Sequence, residues 1–245
     1  MGKDCHLLLP GCELTTLKPR LLNELDLHDS PGSFTEWVKP FGHPVIWLGQ
    51  LAESCEEPLE FDSFLSNDEK IRRDRFKRRP DQQRFAAGRA WLRVLLGRYL
   101  GLLPRQVELH YGDYGKPYVQ PSLQTPVVHF NVAHSGDTIL LAFLGSCEVG
   151  VDVEHLTDQH DWNDVARQIF SAGQYRAWAA LKSSERQLQF FQEWTRREAG
   201  LKAIGCGFAI EQPTGWDSQL KFFEIELPPG YAGSVAVRSA PCLHY

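Results

Sequence analysis

No two of the six cysteines, Cys5, Cys12, Cys55, Cys147, Cys206 and Cys242, stand as a CxxC pair. That lack excludes a zinc knuckle and a redox dithiol of the usual spacing. No apolar leader follows Met1-Gly-Lys-Asp-Cys-His6, and Gly2 lacks the downstream Ser or Thr of a myristoylation signal. The expectation is an unexported, cytoplasmic chain with reduced thiols. Long hydrophobic runs are missing as well. Ile139-Leu-Leu-Ala-Phe-Leu144 falls far short of the roughly 18 to 20 residues that a membrane helix needs. A basic excess is also absent: the formal net charge is -5, which argues against a general nucleic-acid binder.

What is present reads as a soluble globular protein. The 245 residues, 42% hydrophobic and 23% charged, can bury a substantial core as one large domain or two smaller ones. Charge is unevenly placed. Between Lys70 and Arg84 the run KIRRDRFKRRPDQQR holds eight Lys or Arg against two Asp. Such a local field suits a small anionic ligand or an acidic partner, and equally a solvated basic face.

Residues 1–42 carry Pro10, Pro19, Pro31 and Pro40 without sustained periodicity and read as a loosely structured N-terminal extension. Val45 to Leu51 reads as a strand. Ser66 and Glu69 have the spacing of a capping box that opens a helix. From Asp81 to Leu100 the apolar positions follow helical spacing and cover most of the surface, which predicts a long buried helix closed by Gly101. Arg84, Arg89 and Arg93 fall in or beside its apolar arc and need an anionic partner or a route to water. Short β-type runs follow at Val107–Tyr111, Val127–Val132, Thr138–Phe143 and Glu148–Val153. Helices are expected at Trp162–Ile169, Ala172–Leu181 and Arg186–Ile204, then strands at Phe222–Leu227 and Ser234–Arg238. The chain thus divides into two strand-and-helix halves near residues 145–150.

Along Val149-Gly-Val-Asp-Val-Glu154, apolar residues alternate with Gly150, Asp152 and Glu154, so on a strand both carboxylates share one face about 7 Å apart. Such a pair repels unless a cation sits between, and hard oxygen ligands at this spacing suit Mg²⁺. The same alternation belongs to any half-buried strand with an acidic solvent face. In Trp194-Thr-Arg-Arg-Glu-Ala-Gly-Leu-Lys202, Glu198 and Lys202 are neighbours on one helix face, the spacing of an ordinary surface ion pair. Gly200 inside that helix, with Gly205 and Gly207 after it, calls for close approach by a ligand or another backbone. His129-Phe-Asn-Val-Ala-His-Ser-Gly136 runs from a strand into a turn that presents His134, Ser135 and backbone amides, a reasonable phosphate cradle. Neighbouring His and Ser rarely aim at each other, and the flanks are not a GxSxG elbow, which disfavours nucleophilic catalysis. Gly115-Lys-Pro117 is a stiff turn from which Lys116 can reach an anion, or a plain turn with a solvated lysine.

In order, GKP at 115–117, FNVAHSG at 130–136, VGVDVE at 149–154 and WTRREAGLKAIGCG at 194–207 resemble the motif series of 4′-phosphopantetheinyl transferases of the Sfp type. The resemblance covers roughly Val45 to Arg238. It implies an α+β fold of two pseudo-symmetric subdomains, 43–147 and 148–245, with coenzyme A and Mg²⁺ at their junction. It further implies transfer of the phosphopantetheine arm from coenzyme A to a serine of an apo acyl or peptidyl carrier protein, with release of adenosine 3′,5′-bisphosphate. A monomer without nucleic-acid or membrane partners is the corresponding expectation. By the same resemblance Asp152, Glu154 and Glu198 match metal-binding carboxylates, and Lys202 and Lys116 match phosphate contacts. His134 and Ser135 match the coenzyme-contacting loop, and Arg72 falls at a 3′-phosphate contact. Asp152, Glu198 and Lys202 are then the catalytic set, with Glu198 serving as ligand, base or both. Four departures stand out: Arg197 where the family often has Lys, Ala133 where it often has Ser, Gly200 in place of a larger residue, and no acidic residue in Phe170-Ser-Ala-Gly-Gln-Tyr175.

Overall fold

Thr138–Leu144, the longest apolar strand, is buried at every position, as a strand covered on both faces must be. Its alternate side chains serve two cores. A computed structural model of the protein describes residues 15–22, 43–51, 59–121, 127–145, 147–157, 162–206, 215 and 217–238. The elements are β1 (Thr15–Leu17), β2 (Arg20–Leu21), β3 (Val45–Gln50), α1 (Leu59–Asp62), α2 (Asn67–Asp74), α3 (Arg79–Leu100), β4 (His110–Tyr111), β5 (Pro117–Tyr118), β6 (His129–Ser135), β7 (Thr138–Leu144), β8 (Val149–His155), α4 (Asn163–Ile169), α5 (Ala172–Ala179), α6 (Ser183–Ile204), β9 (Leu220–Ile225) and β10 (Tyr231–Arg238).

Two four-stranded sheets have the orders β2-β3-β7-β6 and β1-β9-β10-β8, and β4 and β5 form a separate two-stranded ribbon. On β7, Ile139, Leu141 and Phe143 join the apolar face of α3, including Ala87, Trp91 and Leu95. Leu140, Ala142 and Leu144 face the other way and pack with Val149, Val151 and Val153 of β8 and Val235 of β10. On the far side of the second sheet, Phe222 and Ala236 meet Ala199 and Ala203 of α6. The protein is therefore layered as α3, sheet, sheet, α6, and the mixed α+β class with two sheet-bearing halves agrees with the sequence reading.

Two expectations are corrected. The proline-bearing N-terminal stretch is not featureless: β1 pairs parallel with β9, and β2, three residues later, pairs parallel with β3. One short segment thus edges both sheets, and Leu22 after it is buried in the first core. The strand expected over Val107–Tyr111 is reduced to His110–Tyr111. There the Val107 carbonyl accepts a hydrogen bond from Arg93 Nη1 at 2.7 Å, so a side chain takes the place of a neighbouring strand. Cys5, Cys12, Cys55, Cys242 and Gly207 lie outside the described residues.

The capping box at Ser66 and Glu69 is formed, and α3 ends on Gly101 in the left-handed region at φ 70°. Glu69 has a second duty. Its Oε2 accepts from Arg93 Nε at 2.7 Å, with both side chains 5% exposed. This supplies the anion that Arg93 needs inside the apolar arc. Arg84 pairs with Asp81, and Arg89 lies over the rings of Phe85 and Tyr111. Removing one member of a buried pair strands the other charge, so Arg93→Ala is expected to destabilise the protein by about 3–5 kcal/mol. Urea denaturation checks this, and a loss below about 1 kcal/mol would mean that water reaches Glu69.

Candidate active site between β8 and α6

Gly150 decides how closely α6 approaches β8. A Cβ at this position would lie 2.0 Å from the Ala199 carbonyl oxygen and 2.4 Å from the Ala203 amide nitrogen, so the helix backbone rests on the strand where a side chain is missing. Strand alternation then sends Asp152 and Glu154 to the same side as Gly150. The face that could have been acidic and solvated is turned toward a helix, and Asp152 is only 5% exposed. The close backbone approach is made on the strand side, at Gly150. Gly205 serves as the α6 cap at φ 81°.

The Glu198/Lys202 spacing gives no ion pair along the helix surface. Lys202 Nζ instead reaches across to Asp152 Oδ1 at 2.6 Å, because a buried carboxylate demands a cation more strongly than a half-exposed one. Burial raises Asp152 to about 6 against the pull of Lys202, and Glu154 adds to the rise. Burial and then the Asp152 charge raise Glu198 to about 7, with Lys202 and Arg197 opposing and Glu154 reinforcing. The three carboxylates therefore lie within one another's fields.

Their oxygens are unequally satisfied. Glu154 Oε2 accepts from Ser135 Oγ at 2.8 Å, and the same Oγ accepts from the His155 amide at 3.0 Å. Asp152 Oδ2 and Glu198 Oε1 are buried with no hydrogen-bond partner. Among the described residues no three His, Cys, Asp or Glu side chains are gathered tightly enough to enclose a metal ion. Lys202 takes one oxygen of Asp152 and Ser135 one oxygen of Glu154. The two orphaned oxygens nevertheless fit a hard divalent cation, which is the partner such donors accept when no N–H or O–H is offered.

Beside this cluster lies a cavity of about 280 Å³ whose wall includes Lys116, Asn131, Glu198 and Lys202. Asp152, Glu154, Ser135, His134 and Arg72 stand outside that wall. His134 is exposed at the end of β6, and partial burial of its ring, then the Arg84 and Lys202 charges, push its pKa below the ordinary histidine range. Arg72, on α2, lies over the Phe85 ring at 5.9 Å. Sequence reasoning missed two residues. Asn131 is buried, and its Oδ1 accepts from the Val151 amide at 3.0 Å, tying β6 to β8; a buried amide in an apolar strand was the available signal. Glu148 holds Lys116 and His129, and no pattern marked it.

Residues 148–242 match the 4′-phosphopantetheinyl transferase superfamily, and residues 53–145 match the 4′-phosphopantetheinyl transferase N-terminal family. The 4′-phosphopantetheinyl transferase HetI of Nostoc sp. is 34% identical over 184 residues, 75% of this chain and 74% of the relative. The chain belongs to the 4′-phosphopantetheinyl transferases. Other transferases of the family are also similar: AcpT of Escherichia coli (strain K12) is 36% identical over 126 residues, 51% of this chain and 60% of AcpT. Sfp of Bacillus subtilis (strain 168) is 29% identical over 157 residues, 64% of this chain and 67% of Sfp. In this transferase the two family matches fall on either side of the β7–β8 connection. No described helix is long and apolar enough to cross a membrane.

Proposed function

We propose that the protein is an Sfp-type enzyme that moves the 4′-phosphopantetheine group of coenzyme A onto a serine hydroxyl of an apo acyl or peptidyl carrier protein. The observation that carries this reading is the pair of orphaned oxygens, Asp152 Oδ2 and Glu198 Oε1, next to a cavity edged by two lysines. That arrangement suits a pyrophosphate held with a divalent cation. Asp152 and Glu198 would hold Mg²⁺, with Glu154 completing the set once Ser135 yields its oxygen. The ion would neutralise charge on the pyrophosphate.

The chain's own groups do the rest. Lys202 and Lys116 place positive charge at the cavity, where the leaving phosphate develops negative charge. His134, Ser135 and Arg72, which stand outside the cavity wall, are assigned to the rest of the coenzyme by the family resemblance alone, with Arg72 toward the 3′-phosphate. Glu198, the carboxylate of the cluster that lines the cavity, is the candidate general base. It takes the proton of the carrier serine as the serine oxygen bonds to the phosphorus that bears the pantetheine arm. The bond from that phosphorus to the bridging oxygen breaks, and adenosine 3′,5′-bisphosphate leaves.

Intact-mass measurement tests the reading. Incubation with coenzyme A, Mg²⁺ and an apo carrier should add one phosphopantetheine group to the carrier serine, and chelation of the metal should stop it. An unmodified carrier would overturn the proposal, and free phosphopantetheine in the mixture would point instead to a phosphohydrolase.

A further inference from the structure

Lys116 is less free than a lysine in a turn usually is. It lies between β4 and β5, in a turn closed by hydrogen bonds from the Gly112 amide to the Lys116 carbonyl at 3.0 Å and from the Gly115 amide to the Gly112 carbonyl at 2.8 Å. A two-stranded ribbon of this length is marginal by itself, and a lysine side chain has four rotatable bonds to order. Here the side chain crosses to the start of β8. Its Nζ donates to Glu148 Oε2 at 2.5 Å and to the Val149 carbonyl at 3.2 Å. Its Cδ passes 3.8 Å from the position a Cβ would take on Gly205. The other oxygen of the same carboxylate, Glu148 Oε1, lies 3.0 Å from His129 Nδ1 on β6.

We propose that Glu148 is a positioning residue for substrate binding: by holding the ammonium of Lys116 against β8 and itself against His129, it presents Lys116 at a fixed point on the cavity wall. The inference rests on the reading of that cavity as the coenzyme A site. An ammonium has three protons. Two are taken by Glu148 and the Val149 carbonyl, and one remains for a phosphate oxygen. Ordering the side chain before the ligand arrives removes a cost that binding would otherwise carry. Glu148 remains anionic in this role, because the His129 hydrogen bond and the Lys116 charge overcome its burial and hold it at about 2. The same negative charge also weakens the attraction of Lys116 for a phosphate. The sign of a substitution therefore reveals which effect governs, and holding is the one the geometry favours: Lys116 already lines the cavity while bound to Glu148.

The test is a set of four variants, Glu148→Ala, Glu148→Gln, Lys116→Ala and the double Lys116→Ala/Glu148→Ala. Each is assayed for KM for coenzyme A and kcat on an apo carrier, with calorimetric binding of coenzyme A alone. Glu148→Ala is expected to raise KM and Kd about tenfold with kcat changed less than about threefold, the signature of lost uniform binding. Glu148→Gln keeps an oxygen for Lys116 and is expected to stay within about threefold of wild type. In the Lys116→Ala background, Glu148→Ala should add nothing, since the cycle isolates the coupling of the two side chains. A lower KM in both Glu148 variants would mean that the carboxylate acts as a brake, and an equal rise with or without Lys116 would mean that it acts elsewhere. Either result overturns the proposal while leaving the cavity reading intact. If coenzyme A binds normally to Lys116→Ala, the cavity reading itself fails and the inference falls with it.

Discussion

Asp152→Ala and Glu198→Ala are each expected to lower phosphopantetheine transfer by at least about 10³-fold, the order seen when a preorganised charge at a reacting centre is removed. The fold should survive. Asp152→Ala leaves Lys202 without its acceptor, but that lysine is about a third exposed and can turn to solvent. Glu198 lines a cavity, so its loss leaves no sealed void. Circular dichroism and the carrier mass shift together check this, and near-wild-type turnover in either variant would remove that residue from the chemistry and sink the shared metal assignment.

The same carboxylates make a claim about pH. With divalent cations chelated, Asp152 at about 6 and Glu198 at about 7 both hold protons more tightly in the folded protein than in the unfolded chain. A raised carboxylate contributes stability that is fully present below the unfolded pKa of about 4 and is lost as pH rises through the folded value. In EDTA, Glu198→Gln should therefore melt above wild type at pH 8, with the two curves converging toward pH 4. A constant difference across that range would show that Glu198 is not desolvated. The result would also place the site among those where stability is given up for function.

Gly150→Ala is the second large effect. A Cβ placed 2.0 Å from the Ala199 oxygen meets helix backbone, which cannot swing aside as a side chain can. Overpacking against yielding neighbours costs about 1–3 kcal/mol, and here at least the upper end is expected. Activity should fall further than stability does. Pushing α6 off β8 moves Glu198 and Lys202 away from Asp152, and a displacement of about 1 Å can cost ~10²-fold in rate. Gly173→Ala is the contrast: nothing lies within 4 Å of its would-be Cβ. On α5 this change should be neutral or stabilising by up to about 1 kcal/mol. Urea midpoints and kcat for both variants decide the matter, and equal stability of the two would contradict the tight strand–helix contact.

Much of this fold was legible because its signals are local. The apolar run of β7, the Ser66/Glu69 box and the Gly101 cap each depend on residues a few positions apart, and each formed where expected. The α6 helix was found, although it starts three residues earlier than its periodicity suggests. What the sequence hid depends on partners far away in the chain. Lys202 looked like the mate of Glu198 and is the mate of Asp152, because burial of a strand carboxylate outranks helix spacing. Val107 had strand composition, but its carbonyl was claimed by Arg93. Glu148 carried no motif, and the two side chains that converge on it, Lys116 and His129, come from other elements of the chain.

The pairing of Thr15 with Phe223 has a further consequence. β1 and β9 are far apart in the chain, whereas β2 and β3 are neighbours in the order of elements. Contacts of such long separation close slowly, and an uncovered sheet edge is a template for pairing with another chain. Thr15–Leu17 covers the β9 edge of its sheet, so loss of that pairing would leave a strand edge open to another chain.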